Sequence, residues 1–204
     1  MSTHNTLEGE FVNLRALEVS DAELTYGWRS AARAKFLNQG ATSVAQQAAW
    51  IASRPASEYN FVIELKNGLA VGMVSLTGID TINRRGEPGR FLIGNKDAVK
   101  GSPAAVEAMK LIYELAFDQL GLMRVYGIVA ADNHLMTKWQ KYLGMNEEGR
   151  LRNHLFSGDR FQDAIFLGLL VDEYRKISLP RMNFLINAGR LKSQINPTTQ
   201  TIKC

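Results

Sequence analysis

The chain has 204 residues, 46% apolar and 22% charged, which suits one well-filled domain, or one domain and an extension. Its one cysteine is Cys204, which excludes an internal disulfide and makes a cytoplasmic setting the expectation. The net charge of +4 is unevenly held: Arg175 to Cys204 carries six Lys/Arg and no Asp/Glu, leaving 18 basic and 20 acidic residues elsewhere. A nearly neutral body disfavours a nucleic-acid-binding face, although a basic tail by itself can touch nucleic acid or lipid. The opening MSTHNTLEGE has no apolar stretch of the signal-peptide kind, and the longest apolar run, Ala164 to Val171, is too short to span a bilayer. His4, His134 and His154 are scattered, without metal-ligand spacing, so no metal is expected.

In chain order, Phe11 to Leu17 alternates apolar and polar residues as a strand does. Ser20-Asp21 opens a helix through Leu24 and Trp28. Ser43 caps a second, striped by Val44, Ala48, Ile51 and Ala52 and ended by Arg54-Pro55. A meander follows: Asn60–Leu65, the tight turn Asn67-Gly68, Leu69–Gly78, a charged loop Asn83–Gly89, then Arg90–Asn95. Beyond a third helix lie a strand over Leu122–Ala131 and a short helix capped by Asp132 or Asn133. Two strands near Met145–Leu155 and Gln162–Val171 close the domain, joined through Ser157-Gly158-Asp159.

The third helix organises the rest. Gly101 supplies a loop residue, Ser102 a cap and Pro103 a first helical residue. Ala105, Ala108, Met109, Ile112, Leu115 and Ala116 make its apolar stripe, and Lys110 and Glu114 an outer i,i+4 pair. Its free N–H groups, with Lys100 beside them, form either an anion site or a plain well-capped core helix. The element order predicts a single α/β domain with a mixed, mostly antiparallel twisted sheet flanked by helices. A flexible N-terminus is expected over 1–10, the domain over 11–174 and a basic extension over 175–204. The apolar residues of that extension, Leu179, Met182, Phe184, Leu185 and Ile186, leave two alternatives: a helix docked on the body or on a second subunit, or disorder.

Three motifs in this order resemble the GNAT superfamily of acyl-CoA-dependent N-acetyltransferases. Lys100-Gly101-Ser102-Pro103-Ala104-Ala105 is similar to its pyrophosphate loop, R/Q-x-x-G-x-G/A. Asn133 through Met145 resembles N-x-x-A-x-x-L-Y-x-K-x-G-F. Gly149 to His154, then Gly158 to Asp163, resembles the G-x-x-R-x-H…G-x-Y-x-D hairpin of enzymes acetylating ribosomal protein N-termini, polyamines and nucleotide-linked amino sugars. Trp28-Arg29 and Trp50-Ile51 lean toward the amino-sugar members. Two residues depart from the pattern. Pro103 withholds a backbone donor, and Gln140 stands where relatives often carry a thiolate-protonating Tyr.

The resemblance implies acetyl-CoA as co-substrate and a small amine as acceptor. It places the thioester along Leu92 and Ile93, and the rest of the cofactor on Lys100, Gly101, Ser102, Ala104, Ala105, Asn133 and Lys138. Asn133 is equally a plain helix cap. The amine must lose a proton, and the candidate bases are Glu87, otherwise a solvated loop carboxylate, and His154, otherwise a structural histidine. Trp28 and Arg29 would bind acceptor, the guanidinium on a phosphate, or be a buried aromatic beside a surface Arg. A nucleotide-linked amino sugar is the preferred acceptor, with a ribosomal N-terminus or polyamine as alternatives. A catalytically impaired CoA-binding module is the alternative of another class, and a homodimer is compatible with the tail.

Overall fold

The structure is a computed structural model, which describes residues 6–31, 34, 36, 40–157 and 160–195. β1 (Leu7–Glu8) and β2 (Val12–Ala16) open the sheet, with Val12 and Leu14 fully buried on one face of the pleat. α1 (Ala22–Ser30) and α2 (Val44–Ala52) follow, the latter capped by Ser43, whose hydroxyl accepts from the Gln46 amide at 3.2 Å. β3 (Tyr59–Leu65), β4 (Ala70–Asp80) and β5 (Arg85–Ile93) form the meander. α3 (Ala104–Glu114) continues through a π-turn, Leu115–Gln119, before β6 (Arg124–Ala130) and α4 (His134–Tyr142). β7 (Asn146–Ser157) and β8 (Arg160–Leu170) pair as the closing hairpin, although Gly158 and Asp159 of its turn lie outside the described residues. A single turn, α5 (Val171–Glu173), and a π-turn, Tyr174–Ser178, lead into α6 (Leu179–Ile195).

The sheet order is β1-β2-β3-β4-β5-β6-β8-β7, and only β5 and β6 run parallel. This is the mixed, mostly antiparallel sheet expected from the element order. Phe61, Ile63, Val74, Leu76, Val125 and Leu167 pack on one face against Ala108, Met109, Ile112 and Leu115 of the third helix and its π-turn. On the other face Val62 meets Ala22 and Ile51, and Met73 and Leu92 meet Trp28, so α1 and α2 form the second layer.

Two sequence expectations change, and a third point that was left open is decided. The N-terminus over 1–10 is not free along its length. Leu7 and Glu8 pair with β2, and the buried Glu107 carboxylate accepts the amides of Glu10, Phe11 and Val12 at 2.8, 2.6 and 2.8 Å. A carboxylate on α3 thus satisfies three donors of a turn that would otherwise go unpaired. Next, β5 begins at Arg85, so Glu87 belongs to a strand and not to a loop. The loop is only Thr81–Arg84, where the Asp80 carboxylate gathers the amides of Ile82 and Asn83. Third, the C-terminal extension docks on the body as far as it is described. Met182 is fully buried, Ile186 nearly so, and Tyr174 lies within the rings of Tyr113 and Phe117. α6 thereby covers the outer side of α3, which is why Leu111 and Tyr113, off the expected stripe, are buried too. The Lys110–Glu114 pair forms at 2.5 Å. Among the described residues no helix is long and apolar enough to cross a membrane.

Glu107→Ala should leave three amides without their partner, one of them buried. Charge-assisted hydrogen bonds of this kind are worth about 1.5–3 kcal/mol, so a loss of about 3 kcal/mol and a Tm drop of roughly 6–12 °C are expected for a chain of this size. A melting curve within a degree of the wild type would show that the amides find other partners.

Candidate active site

The site follows from one interrupted ladder. β5 and β6 pair only at Arg85↔Arg124 and Gly86↔Val125, although both strands continue. Beyond those pairs they part. Pro88 brings no N–H to a ladder. A bulge then falls in β5, since Met73↔Leu92 and Ser75↔Gly89 leave Arg90 and Phe91 between registered pairs, with Arg90 at φ 51°. Phe91 stacks on Trp139 of α4, centroids 5.0 Å apart and planes at 15°. Parted parallel strands expose backbone groups to whatever lies between them, and an unpaired bulge residue is a ready donor to a carbonyl oxygen.

On the α3 side lies the anion loop. Gly101 takes φ 76°, which few other residues adopt without strain. The helix begins one residue later than the sequence suggested. Pro103 is its N-cap, and the Ser102 hydroxyl accepts from the Ala104 amide at 3.2 Å. The amides of Val99, Lys100 and Ser102 are used within the loop. Among the described residues, those of Gly101 and Ala105 are not taken up by internal hydrogen bonds. With exposed Lys100 beside them at the positive end of an 11-residue helix, they fit a diphosphate. Asn133 caps α4, its Oδ1 accepting the Met136 amide at 3.2 Å, and Lys138 is exposed on that helix. Leu92 is buried under Trp28 and Ile93 packs into the core, so each has only backbone groups to offer a ligand.

The opposite face holds the candidate base. Val125 and Gly86 face the α3 core, which turns Glu87 and Tyr126, one residue further along each strand, toward the other side. Glu87 is half-buried, and its pKa is raised by that burial, partly offset by the positive charges of Arg90 and His154. The Tyr126 phenol is pushed up as well, first by burial and then by Glu87. Its ring stacks on Phe166 of β8 at 5.6 Å. His154 is exposed on a second bulge, where Leu151↔Ala164 and Leu155↔Gln162 leave Arg152–His154 looped out. Asp163 pins that bulge by accepting the Asn153 amide at 2.9 Å and the Arg150 Nε at 2.7 Å. The two expected bases, far apart in sequence, lie near enough for His154 to lower the Glu87 pKa in part.

Beside them runs a network that sequence reasoning missed. The Arg90 guanidinium donates to Glu58 and to Asn60 Oδ1, both at 2.8 Å, and Ser75 donates to the same Asn60 oxygen at 2.8 Å. Burial works against the Glu58 charge, but the hydrogen bonds from Arg90 and Asn60 outweigh it and hold its pKa low. Arg54 and Arg90 lie over the Trp50 ring at 4.6 and 5.2 Å. The one sequence signal for this network was the strand alternation that puts Asn60 and Ser75 in register. Arg29 is half-buried, its pKa lowered by burial and by the like charge of Arg90. Trp28 is core: a Cβ on Gly94 would fall 2.3 Å from its indole, so the ring lies flat on the β5 backbone. The indole packs with Met73 and Leu92. Gln140 is buried, accepting from Tyr113 Oη at 3.4 Å, and has no acidic proton. A groove of about 410 Å³ lined by Glu8, Lys110 and Asn183 opens on the outer side of α3, away from these residues.

Residues 12–146, about two-thirds of the chain, match the acetyltransferase (GNAT) domain model, and the chain belongs to that family. Over 118 residues it is 30% identical to spermidine N(1)-acetyltransferase of Escherichia coli, covering 58% of this chain and 61% of that protein. Over 110 residues it is 28% identical to YdaF of Bacillus subtilis, provisionally named a ribosomal N-acetyltransferase, covering 54% and 58%. The matched stretch thus spans about three-fifths of the length of these curated relatives. Among solved structures, spermidine N-acetyltransferase from Vibrio cholerae in complex with CoA and spermine has the same fold. Its TM-score is 0.72 at 23% identity, with 82% of this chain and 100% of that one covered. None of these three is named for an amino sugar, the acceptor preferred from the sequence.

The raised Glu87 pKa makes a stability prediction with a definite sign. Its charged form is disfavoured in the folded state, so stability is lost as pH rises from the unfolded value, about 4.3, through the folded one. Glu87→Gln should therefore melt above the wild type at neutral pH, with the difference shrinking toward pH of about 4. A variant that melts lower at pH 7 would mean that Glu87 is held by partners that favour its charge.

Proposed function

We propose that the chain transfers the acetyl group of acetyl-CoA to the primary amine of a small acceptor, with Glu87 as general base. The observation that carries this is a half-buried carboxyl of raised pKa where two parallel strands part, facing away from the anion loop. A base whose pKa lies nearer neutrality takes a proton from an ammonium more effectively at physiological pH. Of the two protons the ammonium loses, one leaves through Glu87 to solvent and the other ends on the departing thiolate. Gln140 gives neither, so Tyr126 beside Glu87 is the phenol this reading places near the reacting atoms. Backbone donors of the β5 bulge polarise the thioester oxygen, and Lys100, Gly101 and Ala105 hold the diphosphate. His154, the second candidate from the sequence, lies near enough to Glu87 to offset part of that rise in pKa.

The acceptor reading rests on charge. Glu58 is shared by Arg54 and Arg90, and Arg29 lies close enough to Arg90 for the two to repel. Three guanidinium groups, those of Arg29, Arg54 and Arg90, gather there, and Trp50 adds a flat apolar face. This supports an amine whose molecule also bears an anionic group, of which a nucleotide-linked amino sugar is the instance expected from the sequence. The second reading, a polyamine, is favoured by the Escherichia coli relative.

With acetyl-CoA and a panel of a nucleotide-linked amino sugar, spermidine and a free peptide N-terminus, turnover should be greatest with the amino sugar. Arg29→Met should raise KM for that acceptor alone. Preference for spermidine would replace the first reading by the second. Glu87→Gln should lose about 10²–10⁴-fold in kcat/KM and the acid limb of its pH profile. An unchanged acid limb would assign the base elsewhere. Acetyl-CoA at about 100 times its Kd should add roughly 2.7 kcal/mol of stability, read as a Tm rise of several degrees. No shift at millimolar concentration would remove the cofactor from the proposal.

A further inference from the structure

We infer that the C-terminal helix is a working part of the acyl-CoA site, and that Gly189 on α6 positions the anion loop through Pro103. The inference rests on the reading of Lys100–Ala105 as that loop.

Gly189 sits well inside α6, where a glycine costs about 1 kcal/mol relative to alanine. Its surroundings explain why an alanine is not there. A Cβ on Gly189 would fall 2.6 Å from Cδ, 2.7 Å from Cγ and 3.1 Å from Cβ of Pro103. The α6 backbone therefore rests directly on the pyrrolidine ring. Pro103 is buried and is the N-cap of α3, the residue between the two unused amides of Gly101 and Ala105. Any movement of that ring re-aims both donors.

The next residue fixes the other side. Arg190 forms a two-bonded pair with Glu10, one bond at 2.7 Å, and the amide of Glu10 is held by Glu107, one turn into α3. The loop end of α3 is thus gripped between α6 and the β1–β2 turn. Pro103, which brings the loop one donor fewer, is also the surface that receives α6. A chain without this helix would leave the ring uncovered and the loop braced from one side only. Helix-held donors are worth most when fixed before the ligand arrives, because a small misplacement costs binding and rate steeply.

The test is a comparison of Gly189→Ala, Gly189→Val and Met182→Ala in the full chain. Met182 is buried on the same helix, seven residues before Gly189. The Gly189 variants should raise KM for acetyl-CoA about tenfold, with kcat and the acceptor KM within about twofold, and weaken CoA in calorimetry to match. Met182→Ala should lower Tm and leave the acetyl-CoA KM alone. Adding Pro103→Ala to Gly189→Ala removes the ring atoms that the new methyl meets and should restore most of the lost affinity. If the Gly189 variants change Tm but not the acetyl-CoA KM, or the double variant restores nothing, the helix is structural only and the inference fails. If the wild type itself binds no CoA, the loop assignment fails instead, and the two outcomes are distinct.

Discussion

Two parallel pairs, Arg85 with Arg124 and Gly86 with Val125, are all that join β5 to β6, and the site depends on the ladder stopping there. A continued ladder would satisfy the backbone of both strands internally and leave nothing to offer a ligand. The interruption is local chemistry. Pro88 cannot donate, the Arg90–Phe91 bulge breaks the register with β4, and Phe91 is drawn onto Trp139. The parting also separates two charge environments, donors of the α3 terminus on one face and a raised carboxyl on the other. A thioester lying between the strands would meet both.

Holding such an interruption open requires support that is not part of the chemistry. Glu107 ties α3 to the first β-turn, Trp28 presses on Gly94 at the end of the splayed strand, and α6 closes the outside of α3. Each is a close backbone approach made possible by the absence of a side chain, at Gly9, Gly94 or Gly189, where a Cβ would meet a neighbour below 3 Å. Packing at that distance leaves no slack for continuous deformation.

On the acceptor face electrostatics and solvation pull in opposite directions. Burial favours a neutral Glu87, while Arg90 and His154 favour its charged form. The result is a carboxyl pKa raised above its ordinary value by burial, the direction that suits a general base. Glu58 shows the contrast. It too is partly buried, yet direct hydrogen bonds from Arg90 and Asn60 keep it charged and structural. The geometry of the partners, and not burial alone, separates the two roles.

The helices and most strands were legible because each signal is local: caps at Ser43 and Asn133, alternation in Phe11–Leu17, a stripe on α3. The loop before α3, the GNAT resemblance and the two candidate bases were legible for the same reason, since residue type and spacing survive in one dimension. What the sequence could not show is anything set by two distant backbones. Glu87 looked like a loop residue because Pro88 and Gly89 signal a turn, whereas pairing of Thr77 with Glu87 draws them into a strand. Tyr126 gained its place beside Glu87 only through a parallel register, and the Arg90–Glu58–Asn60–Ser75 network joins three strands and the loop before them. Trp28 could be read as an acceptor contact or as a buried aromatic, and its burial against Gly94, 66 positions away, could not be read from the sequence. Local composition thus determined the elements and the class of chemistry. The tertiary structure decided which faces met, and with that the ionisation of Glu87 and the part taken by α6. Contact distance and solvent exclusion, which fix both, exist only once the chain has closed on itself.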